Sequence, residues 1–111
     1  MSAAPEQPIA VFITASNKEE ASRLADMLVE RKLAACVQIL PAMESVYRWQ
    51  GKIERQTEVL LIAKTFTAKF AELETEVRAL HSYETPEIVA VPLTALSEPY
   101  LKWLNASVTT D

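Results

Sequence analysis

The single glycine of this 111-residue chain, Gly51, follows Gln50 between two runs rich in β-branched and aromatic residues. The run before it, "SVYRW" (45–49), and the run after it, "KIERQTEVLLIAKT" (52–65), read as the arms of a β-hairpin closed by a tight turn. "AACVQIL" (34–40) extends the first arm, with an interruption at Pro41. Traced back to about Ala35 and Thr65, each arm holds some 15 residues and measures about 50 Å at ~3.3 Å per residue. That is roughly twice the length available to the other strand segments, so its outer half has no neighbours in its own sheet. Val46, Tyr47, Trp49 and Ile53 lie in that outer half. Such side chains are predicted to pack on another subunit rather than stand in water.

The remaining segments order themselves around the hairpin. "IAVFIT" (9–14) reads as a first strand, and Ser16 with Glu19 three positions on has the form of a capping box. Ala21, Leu24, Ala25 and Leu28 then recur on one face of a helix running to about Arg31. Phe66, Phe70, Leu73, Val77 and Leu80 predict a second helix ending near His81. "EIVAVPL" (87–93) is a fourth strand, and Ser97, Glu98 and Pro99 open a short helix carrying Tyr100, Trp103 and Leu104. The order β-α-β-β-α-β plus a terminal helix is an α+β, ferredoxin-like pattern with an antiparallel sheet in the order four, one, three, two. Pro41 and Pro92 then fall in the two edge strands, where a missing N–H is tolerated. Residues 9–107 make one domain, with 1–8 a disordered N-terminal tail and 108–111 a C-terminal tail.

The strands do not alternate apolar with polar. Ala10 and Phe12 are as apolar as Val11 and Ile13, Leu60 and Ile62 as Val59 and Leu61, and Val89 and Val91 as Ile88 and Ala90. Two helices cover one face of such a sheet, and a second copy of the chain is the predicted cover for the other.

Composition excludes several classes. The net charge is −4 and the basic residues are scattered singly, so no stripe exists to neutralise phosphates. One glycine removes phosphate-binding glycine loops and nucleophile elbows. One cysteine removes an internal disulfide and paired-cysteine metal sites. The N-terminal "MSAAPEQP" lacks the basic and apolar regions of a secretory signal, and no apolar run approaches a membrane span; a cytoplasmic address with no membrane partner is expected.

In order along the chain, "RKLAACVQILP", "SVYRWQGKIE", "TEVLLIAKT", "HSYETPEIV" and "YLKWLNAS" resemble the divalent-cation tolerance (CutA) family, from about Ile9 to Ser107. The resemblance implies a PII-like homotrimer whose hairpins clasp neighbouring subunits, with a role in the response to copper or other divalent ions and no organic cofactor. Two places depart from the family's usual pattern. "HSYE" stands where "HPYE" is common, with Ser82 for the proline, and "ASNKEE" lacks a proline-containing "PDEE" type of loop.

Within that frame the candidate residues divide into two groups. His81 is the only histidine, placed at a helix C-terminus where its structural role is to face the helix dipole; as a ligand, imidazole suits copper and zinc. Cys36, in an otherwise apolar strand, is first a small buried hydrophobe and second a soft thiolate ligand. One of each per chain cannot saturate an ion, so a metal site is expected only where subunits share ligands, with Glu84 or Glu87 adding oxygen. Trp49, Lys64, Tyr83 and Trp103 are the residues expected to line an inter-subunit ligand pocket, with Glu58 a further polar candidate. No nucleophile and base stand together, and the chain is expected to bind rather than catalyse. A PII-like trimer working through protein partners, without a specific metal site, is the alternative.

Overall fold

The computed structural model describes residues Glu6–Thr109. Its elements are β1 (Pro8–Ala15), α1 (Lys18–Glu30), β2 (Cys36–Trp49), β3 (Lys52–Phe66), α2 (Phe70–Leu80), β4 (Ile88–Pro92) and α3 (Glu98–Val108), with one 3-10 turn, Thr67–Lys69, leading into α2. Gln50 and Gly51 adopt φ of 51° and 80°, the left-handed pair of a two-residue hairpin turn whose twist matches the strands it joins. The sheet is antiparallel in the order β2-β3-β1-β4, which is the predicted order read from the other edge.

β3 pairs with β1 only from Val59 to Phe66, whereas β2 follows it out to Lys52. The segment from Lys52 to Glu58 therefore has a strand on one side alone. This projecting arm gives the molecule its extents of 50 × 25 × 25 Å. Near its tip Trp49 and Ile53 are each 61% exposed.

Alternation along the strands sends Val11, Ile13, Leu61 and Ala63 to one face, where Leu24 and Leu28 of α1 and Leu73 and Val77 of α2 bury them. Each such side chain contributes about 1.5–3 kcal/mol by leaving water. The four residues predicted for the buried face of α1 are all buried. The other face has a smaller cluster in which Leu104 and Val108 of α3 pack on Ala35 and Phe66. α3 thus covers one end of the face expected to be bare, while Leu40 and Val89 on the edge strands stay exposed.

Four expectations are revised. Pro41 does not interrupt the second strand: β2 runs through it, and the register jumps from Leu40 to Met43 across a bulge with Ala42 at φ 65°. An edge strand allows this, because the N–H that proline lacks faces no neighbour. Phe66, although spaced like a helical residue from Phe70, ends β3 and belongs to the α3 cluster. The capping box is displaced by one residue. Asn17 is the N-cap, its Oδ1 accepting from Glu20 N–H at 2.8 Å, and Glu20 rather than Glu19 turns back toward the preceding turn. The tails are also shorter than expected where they meet the domain. Gln7 O accepts from Thr67 N–H, Pro8 opens β1, and Val108 is a buried residue of α3; residues 1–5 and 110–111 lie outside the described residues. Among the described residues, no helix is long and apolar enough to cross a membrane.

Thr65 is fully buried, and its Oγ1 has no hydrogen-bond partner. A buried hydroxyl without a partner costs about 1–3 kcal/mol. Thr65→Val keeps the shape and the strand preference, so stability is expected to rise by about 1 kcal/mol. The reading is a higher urea midpoint at unchanged m-value. An unchanged or lower midpoint would show that a buried water serves the hydroxyl.

Candidate functional site

The segment between α2 and β4 is built around His81. The His81 N–H closes α2 on Val77 O at 2.9 Å, and its backbone turns extended at φ −78°, ψ 145°. The imidazole is fully buried. Its Nδ1 accepts from Tyr83 N–H at 3.0 Å, so the hydrogen sits on Nε2 and is donated to Thr14 O at 2.6 Å. The ring therefore ties the end of α2 to the end of β1, and both of its nitrogens are engaged.

Glu20, 2% exposed, lies beneath this junction. Its Oε1 accepts from Ser16 N–H at 2.9 Å and Ser16 Oγ–H at 2.8 Å, and its Oε2 accepts from Ser82 N–H at 2.6 Å. Burial by itself would raise its pKa, but the donors at Ser16 and Ser82 outweigh it and hold the carboxyl down at about 2. The proline usual in the family at position 82 would have no N–H to give. Ser82 thus adds a donor at the place where the sequence departs from its pattern.

Tyr83 carries the junction to the base of the hairpin arm. Tyr47 Oη–H donates to Gln56 Oε1 at 2.8 Å, Gln56 Nε2–H to Tyr83 Oη at 3.3 Å, and Tyr83 Oη–H to Glu58 Oε2 at 2.8 Å. Burial first, and then the hydrogen bond to Glu58 and its charge, push the Tyr83 phenol up to about 12. The phenol thus stays a donor. These groups border an open cleft of about 690 Å³, whose walls also include Trp49, Glu84, Thr85 and Glu87.

Of the predicted pocket residues, Trp49 and Tyr83 meet in this cleft, as do Glu58 and Glu84. Lys64 and Trp103 do not line it. Lys64 donates to Gln38 Oε1 at 3.0 Å, and Trp103 packs against Tyr100 in a tilted arrangement with ring centroids 5.4 Å apart. Cys36 is at that same far end, its Sγ 3.8 Å from Tyr100 Oη; burial and then the thiol raise the Tyr100 pKa. Cys36 pairs with Lys64 of β3, which pairs with Ala10 of β1, whereas His81 bonds to Thr14, two strands from Cys36 and a further four residues, about 13 Å, along the strand direction. Among the described residues, no three His, Cys, Asp or Glu side chains are grouped to hold a metal ion. The donors of one chain therefore do not fit an ion at His81 and Cys36.

The CutA1 divalent ion tolerance protein family model matches residues 9–107. The chain belongs to that family. It is 48% identical over 98 residues to the divalent-cation tolerance protein CutA of Archaeoglobus fulgidus, covering 88% of this chain and 95% of the relative. The chloroplastic CutA of Arabidopsis thaliana is 46% identical over 99 residues, which are 89% of this chain but 54% of that longer protein. Among solved structures, the CutA1 of Thermus thermophilus superposes with a TM-score of 0.90 at 44% identity, covering 92% of this chain and 99% of that one. The CutA1 of Oryza sativa gives 0.91 at 42%, covering 95% and 96%. A solved structure of the Archaeoglobus protein is described as periplasmic.

Glu20, Gln56 and Tyr47 were not singled out from sequence as site residues. For Glu20 the signal was present, since it stands three positions after the N-cap Asn17. Its role sets a prediction. The folded carboxyl lies near 2 against an ordinary 4.5, so its stabilisation is complete above about pH 4.5 and is lost as pH falls from there toward 2. The loss amounts to about 3 kcal/mol. Urea midpoints measured from pH 6 to 2 should fall for the wild type. They should begin lower and vary less for Glu20→Gln, and the acid transition of Ser82→Pro should move to higher pH.

Proposed function

We propose that the chain acts in the cytoplasm as a homotrimer that binds a divalent ion such as copper, or a small ligand, at clefts completed by a neighbouring subunit, in the response to metal ions. The observation that carries this reading is the cleft at the base of the hairpin arm, where Glu58, Glu84, Glu87, Tyr83 and Trp49 border one open space. Family membership supports the link to divalent cations. The unsupported outer half of the arm and the partly covered second sheet face support self-association. Sharing between subunits is favoured because, among the described residues, no three His, Cys, Asp or Glu side chains of one chain group around an ion. The role is binding rather than catalysis. A PII-like trimer that works through protein partners is a second reading, favoured by the exposed Trp49 and Ile53 at the arm's tip.

Light scattering joined to calorimetric titration of Cu²⁺ and Zn²⁺ in a non-chelating buffer tests the reading. The expected mass is three times 12.4 kDa, with saturable uptake at a fixed ratio per trimer. The double variant Trp49→Asp/Ile53→Asp is expected to lower the mass toward that of one chain. A single-chain mass for the wild type would overturn the trimer. A stable trimer with no saturable uptake of ions or small ligands would leave the partner-binding alternative.

A further inference from the structure

We infer that the cleft at the base of the hairpin arm binds a small organic cation, an amine, guanidinium or quaternary ammonium compound, with its charge against Glu58 and its carbon framework against Tyr83 and Trp49. This rests on the proposed reading of the cleft as a ligand site, and it names the ligand class.

The charge of the walls comes first. Glu58, Glu84 and Glu87 line the cleft, and among the described residues no Lys, Arg or His does. On the arm, Lys52 pairs with Trp49 at the tip without lining the cleft, and Arg55 stands 3.3 Å from Glu44.

Glu58 differs from Glu84 and Glu87 in being buried. It is 7% exposed, receives one hydrogen bond, from Tyr83, and has no ion-pair partner among the described residues. A carboxylate offers about four acceptor sites, and a buried one is stable when a cation or several donors satisfy it. Glu58 is one of the residues that line the cleft.

The shape of the site separates organic cations from metal ions. The carboxylates border the space without converging, and among the described residues no three His, Cys, Asp or Glu side chains group around an ion. At about 690 Å³ the cleft is of the size that takes a small organic molecule rather than a bare ion. Its aromatic members are Tyr47, Trp49 and Tyr83, side chains whose rings attract ammonium and guanidinium groups but contribute little to a hydrated metal. The Tyr47–Gln56–Tyr83 hydrogen bonds hold Glu58 and two of those rings in place before any ligand arrives.

Calorimetric titration of 1,4-diaminobutane and tetramethylammonium chloride into the full chain, beside glutarate and glucose, tests the inference. Saturable binding of the cations, one per chain and weakened by salt, is expected, with none for the dicarboxylate or the sugar. Glu58→Gln, which keeps the shape and the Tyr83 contact, should weaken binding by at least about 30-fold. Trp49→Ala, in protein whose trimer mass is shown by light scattering to be unchanged, should weaken it by roughly 5-fold. Preference for glutarate or glucose would overturn the ligand class. So would the absence of cation binding in a protein that keeps its trimer mass and its Cu²⁺ uptake, an outcome that leaves the proposed function standing. A third result, no cation binding together with a loss of trimer mass in Glu58→Gln, would show that a neighbouring subunit's own cationic side chain fills the cleft. Loss of both the trimer and all saturable uptake in the wild type would instead remove the parent reading.

Discussion

The pairing of β3 governs the rest of the molecule. Its inner half lies between β1 and β2, and its outer half has β2 alone. Within the sheet its odd-numbered residues reach the core beneath α1 and α2, and burial on that face supplies most of the hydrophobic stabilisation. Beyond Glu58 the same strand has no third layer above it, so its side chains must find solvent, a ligand or another chain. The candidate site lies at that transition, with Glu58 at the last sheltered position and Gln56 just beyond it.

The junction after α2 converts a folding requirement into a site. The buried polar groups there satisfy one another: His81 ties Thr14 to Tyr83, and Glu20 gathers donors from Ser16 and Ser82. The Ser16–Glu20 and Tyr83–His81 contacts are local, whereas His81–Thr14 and Ser82–Glu20 form only when the α2–β4 segment has docked on β1 and on the start of α1. The consequence for Tyr83 is a fixed direction. Its hydroxyl reaches Glu58 across the sheet end and its ring lies 4.8 Å from that of His81, so this aromatic wall of the cleft is held by Glu58 on one side and His81 on the other. His81, the most conspicuous residue in the sequence, therefore organises the site without being exposed to a ligand.

Much of the fold was legible because local rules and burial agreed. The helical spacing of Ala21, Leu24, Ala25 and Leu28 marked the buried face of α1, and Gln50-Gly51 marked the turn, since few residues accept two left-handed positions in succession. The misreadings occur where two local signals competed. Pro41 looked like an interruption, but an edge position removes the penalty. Phe66 fitted a helical period by coincidence of spacing with Phe70. Ser16 and Asn17 are both good N-caps, and only the inward path of Glu20 selects between them.

By itself, the sequence determined the element order, the turn, the identity of the edge strands and the excess length of the hairpin. Each of these follows from spacing, backbone chemistry and the rise of a strand, all local quantities. Which candidates share a site was decided only by the tertiary structure. Lys64 and Trp103 read as well as Tyr83 and Trp49, yet register sends the first pair to the α3 end of the sheet and the second to the arm's base. The engagement of both His81 nitrogens, and the cation that Glu58 lacks among the described residues, were likewise invisible along the chain. The partner of His81 Nε2 stands 67 positions away and the Tyr83 that reaches Glu58 stands 25 away, so both contacts exist only when the sheet closes.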